Sequence, residues 1–217
     1  MDCRTISAPL IGFVIATLLV FGSHAAETAA PATPMVIPHG TQDVTKAVAG
    51  DYTLDPNHVG LIARVSHLGF SISIFRFEKV AATLKWDPAA IARSQLAATV
   101  QTASITSNVP GFAATLSGKY LLSPQYPEAT FVSTAFRQED ATHGKVDGTF
   151  TLKGKTVPLT FDVTLVGAGP GFAGGPVMGH VIGIHAEGWI DPRQFDMGPF
   201  FVDPIQLVID TEFDHKG

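Results

Sequence analysis

Val59-Gly60-Leu61-Ile62-Ala63-Arg64-Val65-Ser66-His67 alternates between two faces. Val59, Leu61, Ala63, Val65 and His67 fall on one side and Gly60, Ile62, Arg64 and Ser66 on the other, because successive side chains of an extended strand point in opposite directions. The same period returns in Val80-Ala82-Leu84-Trp86, Leu96-Ala98-Val100, Ala129-Phe131-Ser133, Gly148-Phe150-Leu152, Val157-Leu159-Phe161-Val163-Leu165, Ile182-Ile184-Ala186-Gly188-Ile190 and Leu207-Ile209-Thr211-Phe213. About eight such segments, separated by Gly, Pro, Asn and Asp, read as half-buried antiparallel strands. Gly154 between Lys153 and Lys155 marks a hairpin turn. Helical spacing is confined to Pro88 to Arg93 and to the stretch after Asn108, where Phe112, Leu116 and Tyr120 stand four apart. A sheet of this size with an apolar inner face closes into a barrel or folds into a sandwich, because open edges invite pairing with other chains.

The inner face mixes sizes. Ala63, Ala82, Ala98, Ala129, Ala186 and Gly188 are interleaved with Phe131, Phe150 and Phe161. A barrel of roughly eight strands is either filled by its own side chains or holds one small ligand. Composition leaves both states open.

The amino-terminal segment has the order of an export signal. Arg4 precedes an uncharged run from Ala8 to Phe21, and Ser23-His24-Ala25 supplies small residues before a cut. Residues 1–25 are expected to leave as a signal peptide, 26–49 to form a flexible Ala, Thr and Pro-rich tail, and 50–217 to fold as one barrel domain. The single cysteine, Cys3, would leave with the leader, so the mature domain would be held by packing alone outside the cytoplasm. Cutting after Ala25 removes Asp2 together with Arg4, so the net charge stays at −5 and nothing points to nucleic acid.

Six further segments follow one another in a telling order: Tyr52-Thr-Leu-Asp-Pro-Asn-His58, Arg64-Val-Ser-His-Leu-Gly-Phe70, Ser104-Ile-Thr-Ser-Asn108, Tyr126-Pro-Glu-Ala-Thr-Phe131, Gly148-Thr-Phe-Thr-Leu-Lys-Gly154 and the last strand into Glu212-Phe213. From about Gly50 to Phe213 the chain resembles the YceI-like family of secreted, lipocalin-like proteins. The resemblance implies an all-β fold, an extended antiparallel eight-stranded barrel with one or two short helices. It further implies a polyisoprenoid, isoprenoid quinone or similar long-chain amphiphile in the bore, no required cofactor, and no agreed catalytic set. Departures fall at Phe75, where the family often has Gly, at Ala63, where Phe is common, and within Ile190 to Met197.

Val65, His67, Phe70, Leu84, Phe131, Phe161 and Ile184 are the expected ligand contacts, as inward or near-inward positions on several strands. His67 reads first as a structural histidine hydrogen-bonded within the barrel and next as a headgroup contact, and it is the general base in the alternative reading, an envelope enzyme acting on a hydrophobic substrate. His58 is expected to stabilise a turn after Asp55, and Asn108 to meet a headgroup or cap a helix. His180 and His185 are five apart and face opposite sides of a strand, so they cannot share a metal. Asp210, Glu212 and Asp214 alternate away from the apolar face and read as a solvated wall. Gly148 to Thr156 has the wrong glycine spacing for a phosphate loop, and Gly167 to Pro176 reads as a mobile loop that could gate the bore. A fatty-acyl ligand, pairing of two chains through an exposed edge, and an outer-membrane barrel with apolar residues outward complete the alternatives; the mature chain is not expected to span a membrane.

Overall fold

The computed structural model describes residues 37–172 and 179–216. Ten strands form one antiparallel sheet: β1 (Gly50–His67), β2 (Ser71–Phe77), β3 (Val80–Trp86), β4 (Gln95–Gln101), β5 (Ile105–Thr106), β6 (Glu128–Gln138), β7 (His143–Leu152), β8 (Lys155–Pro170), β9 (Gly179–Ile190) and β10 (Ile205–Lys216). The order β10-β9-β8-β7-β6-β4-β3-β1 returns on itself because β1 also pairs with β10, giving a closed barrel of eight staves.

Two of the staves are broken. β2 and β3 follow the same side of β1, the first against Leu61 to His67 and the second against Gly50 to Thr53. β4 and β5 form the next broken stave, β4 against β3 and β5 against β2. The two gaps lie side by side and are stitched together: Glu78 N–H donates to the Ser104 carbonyl at 3.2 Å and Gln101 N–H to the Lys79 carbonyl at 3.0 Å. Lys79 N–H donates to Ser104 Oγ at 3.1 Å. The barrel therefore stays closed where its strands are interrupted.

Three bulges switch the inward parity along single strands. In β1 the register shifts between Leu54 and Val59, in β6 between Ser133 and Ala135, and in β8 between Leu165 and Gly167. The β1 irregularity inserts three residues and the other two insert one each, an odd number in every case, so the inward set continues on positions of the other parity. The segment after Asp55, expected as a strand entrance, is thus inside an 18-residue strand. Asp55 is buried there, accepts from Asn57 N–H at 2.8 Å, and lies 2.6 Å from His58 Nδ1. Gly167 to Pro170, expected as loop, is the end of β8, and Gly174 to Pro176 lies outside the described residues.

Short helices close one end. α1 (Phe112–Thr115) runs into a π turn at Leu116–Tyr120, and a 3-10 turn spans Pro192–Phe195. Gly111, at φ 75°, caps α1, so Asn108 is not its cap. Leu116 and Phe195 are buried, and Phe195 meets Phe150 edge-on at 5.6 Å. At the other end part of the expected tail is fastened down. Thr41 and Ala168 exchange backbone hydrogen bonds of 3.0 and 2.8 Å, Ala47 is buried, and the Tyr52 hydroxyl donates to the Val48 carbonyl at 2.8 Å. Burial pushes that hydroxyl up to about 12 and so keeps it a neutral donor. Residues 1–36, with the expected leader, lie outside the described residues. No helix among the described residues is long and apolar enough to cross a membrane.

Candidate functional site: an apolar cavity in the bore

The barrel is not filled. A cavity of about 220 Å³ runs along the bore, where one water molecule would take roughly 10–15 Å³ on the same kind of measure. All eight staves wall it, with Leu54 and Leu61 from β1, Ala82 and Leu84 from β3, Ala98 from β4, Phe131 and Phe136 from β6, Val146 and Phe150 from β7, Phe161 and Leu165 from β8, Ile184 and Ala186 from β9, and Ile209 and Phe213 from β10. Side-chain size decides where the space lies. Ala82 and Ala98 face each other across β3 and β4, and Ala98 faces Phe131 across β4 and β6. With Ala129 and Ala186 they leave the wall short where longer side chains would meet at the centre.

The other small residues serve packing. Phe131 and Phe161 meet edge-on at 5.1 Å, and each ring lies over a glycine of a neighbouring strand, Phe131 over Gly148 and Phe161 over Gly188. A methyl group at Gly188 would stand 2.7 Å from Phe161 Cε1. Ala63 is buried in the cluster at the closed end, away from the cavity wall. The two phenylalanines thus floor the void.

The cavity reaches the end of the barrel opposite α1, where Val44, Trp86, Ile91 and the β6–β7 connection border it. Charges around this rim are paired. Arg137 donates twice to Asp147, at 2.6 and 2.7 Å, and Thr160 adds a third hydrogen bond at 2.7 Å. These bonds hold the Asp147 carboxyl down to about 2. Backbone N–H groups of Thr142 and His143 do the same for Asp140, also to about 2. Lys145 is engaged with Asp162, which raises its ammonium above the ordinary value. Arg93 is bound to Asp87 at 2.8 Å.

Four of the expected contacts, Leu84, Phe131, Phe161 and Ile184, lie on the cavity wall. Val65 is buried nearer the closed end and packs in the cluster that holds Leu116 and Phe195, off the wall. His67 and Phe70 need correction. β1 pairs with β10 only as far as Arg64; beyond it β1 and β2 continue as a hairpin that projects past the barrel. His67 is exposed there and Phe70 is 87% exposed, so neither faces the bore. The structure adds Phe136, Phe150 and the rim from Arg137 to Lys145. Phe150 and Trp86 stand in alternations visible in the sequence; Phe136 is hidden by the β6 bulge, which brings an apparently outward residue inside.

On the outer wall, Asp210 and Glu212 behave as the alternation indicates. Asp210 accepts from His185 Nδ1 at 2.7 Å, and Glu212 lies 3.7 Å from His58. Asp55, His58 and Glu212 bring their ligating atoms within 4.8 Å of one another, an arrangement that the Asp55–His58 hydrogen bond accounts for.

Comparison with known proteins places this geometry. Residues 52–213 match the YceI-like domain. Protein YceI of Escherichia coli O157:H7 is 32% identical over 173 residues, which cover 76% of this chain and 87% of that protein. The UPF0312 protein VPA0850 of Vibrio parahaemolyticus is 36% identical over 152 residues, 68% of this chain and 76% of its own. Among solved structures, Burkholderia cenocepacia BcnA superposes with a TM-score of 0.64 at 23% identity, covering 73% of this chain and 98% of BcnA. A polyisoprenoid binding domain from Saccharophagus degradans, implicated in plant cell wall breakdown, superposes with a TM-score of 0.55 at 10% identity, covering 76% of this chain and 98% of that domain. The last two likenesses concern the fold.

Proposed function

The chain belongs to the YceI-like family, and from that premise we propose that it is an exported, non-catalytic carrier that sequesters or transports one long-chain amphiphile, a polyisoprenoid, isoprenoid quinone or fatty-acyl molecule, in its bore. One observation carries the reading: an apolar void of about 220 Å³ walled by every stave of a closed barrel. Each methylene-sized group transferred from water into such a wall contributes about 0.8 kcal/mol, so chain length alone generates affinity and little polar geometry is required. The polyisoprenoid binding domain of Saccharophagus degradans has the same fold, which supports the choice of ligand class. Export to the periplasm rests on the leader-like order of residues 1–25.

His67, the base of the enzymatic alternative, is exposed on a projecting hairpin. The wall polarity also runs against a membrane-spanning barrel, in which the apolar band faces outward; here Lys145, Asp147, Asp162 and Asp210 are on the outside.

The test is titration of the purified protein with geranylgeraniol, read as thermal stabilisation. At a hundredfold excess over Kd a single-site ligand adds about 2.7 kcal/mol to the stability. Ala98→Phe and Ala82→Phe, which lengthen side chains into the void, are expected to remove the gain while the barrel still melts cooperatively. No gain in the unsubstituted protein with alcohol, quinone or fatty acid would refute the proposal.

A further inference from the structure

Past Arg64 the β1–β2 hairpin leaves the barrel with apolar side chains turned to water. β1 has no further pairing with β10, and β5 reaches β2 only at Arg76 and Phe77, so both edges of the hairpin are open from Val65 to Phe75. Its turn is nevertheless fixed: Phe70 N–H donates to the His67 carbonyl at 3.0 Å and Gly69 N–H to Ser66 Oγ at 3.2 Å. The turn holds Leu68 64% and Phe70 87% exposed, with Leu68 at φ 54°, in the left-handed region that a Cβ disfavours. Behind the tip, Ile72 and Ile74 are exposed on one face, opposite Ser66 and Arg64 of β1. Phe200 and Val202 are exposed in the loop that leads into β10, at the same end, where Gln206 is the partner of Arg64. None of these six side chains belongs to the core or to the cavity wall. Exposed apolar side chains gathered at one end mark a contact with another apolar phase.

The charges at this end select the phase. Arg64 to Phe77 contains two arginines, one histidine and no carboxylate, in a chain of net charge −5. Arg64 has no ion-pair partner among the described residues, and Arg76 shares Glu78 at 3.3 Å. Lys119 lies over the Tyr120 ring, which meets Phe201 edge-on, and adds a second unpaired cation; Asp203 is the single carboxylate of the loop 198–204. We propose that this end of the barrel docks on a bilayer of anionic lipid, with Leu68 and Phe70 entering the acyl boundary and Arg64 and Lys119 meeting lipid phosphates. A second copy is the poorer partner, because hairpin against hairpin would bring together more arginines and no carboxylate. Depth is limited by the open edges, whose unpaired backbone groups keep the strands among the headgroups while the tip goes deeper. The bore opens at the opposite end, so docking leaves its mouth free and does not depend on the carrier reading.

Flotation of the purified protein with large unilamellar vesicles tests the docking surface, one set made of phosphatidylcholine and the other of phosphatidylcholine and phosphatidylglycerol in equal parts. Partition onto the mixed vesicles is expected to exceed that onto phosphatidylcholine by about tenfold and to fall in high salt, as unpaired cations at an anionic surface require. Leu68→Ser combined with Phe70→Ser should lower partition about tenfold, and Arg64→Gln about fivefold. A direct readout guards against a variant that folds poorly. Trp189 is exposed, so in a Trp189→Phe background Phe70→Trp places an exposed indole at the tip, and its emission should be quenched by vesicles whose acyl chains are brominated. Flotation with neither lipid, flotation unchanged by the two serines, or an unquenched tip indole would overturn the docking surface. Equal partition onto both lipids would overturn the part assigned to Arg64 and Lys119. A dimer in sedimentation velocity that depends on Leu68 and Phe70, from a protein that does not float, would give this end to a second copy and overturn the bilayer. A protein that floats as expected and takes up no isoprenoid would refute the carrier alone.

Discussion

Gly188 and Gly148 owe their identity to the rings above them. Neither position needs a positive φ; each needs the absence of a side chain, because Phe161 and Phe131 occupy the space where a Cβ would project. Gly188→Ala is expected to destabilise the barrel by about 1–3 kcal/mol, the usual cost of overpacking a filled core. Adding Phe161→Leu should recover part of that loss, a coupling measurable as a double-mutant cycle of thermal melts. His58 carries a pH dependence. Its hydrogen bond to Asp55, with Glu212 and Asp214 nearby, raises its pKa in the folded protein. Burial pushes Asp55 up, but hydrogen bonds from Asn57 and His58 outweigh burial and leave its carboxyl below the ordinary value. A histidine raised on folding stabilises fully below its unfolded value of about 6.5 and loses that contribution as pH rises through the folded value. The melting-temperature gap between wild type and His58→Gln should therefore be larger near about pH 5.5 than near about pH 8.5. An equal gap at both would mean that the pair adds no pH-linked stability.

At the level of elements, the alternation of apolar residues located the staves and the Lys153-Gly154 turn, whose φ values of 52° and 73° suit a tight hairpin. It did not locate the bulges. A period-two pattern cannot register an inserted residue, so the Asp55 to His58 segment looks like a strand entrance and Phe136 looks outward. β2 also escaped: Ile72 and Ile74 are half exposed, so its apolar residues do not sort by face. The β1–β2 hairpin misled in the opposite sense, because alternation continues into His67 after the barrel has ended. His67→Ala and Phe70→Ser are expected to leave ligand affinity within about twofold of wild type, since neither residue touches the cavity wall. A larger loss in direct titration would mean that the hairpin folds over the ligand.

For the whole molecule, one-faced strands and the cost of an open edge left a barrel or a sandwich, and the resemblance to the YceI-like family pointed to the closed eight-stave barrel that the structure has. The void was not. Composition supplied a mixture of small and large inward residues; only the register shows that Gly148 and Gly188 are covered by rings while Ala82, Ala98, Ala129 and Ala186 border empty space. Four of the seven residues expected to meet a ligand lie on that wall, and the other three, Val65, His67 and Phe70, lie past Arg64, where β1 has parted from β10. The rim required the fold, since Trp86 and the β6–β7 connection are far apart in sequence. The central claim is that this space takes up a water-insoluble chain. Native mass spectrometry of the protein, purified without detergent and incubated with a long-chain isoprenoid quinone, tests it most directly. The account predicts a one-to-one adduct in wild type that is missing in Ala98→Phe; a bare wild-type mass, or an adduct equally abundant in the filled variant, would contradict it.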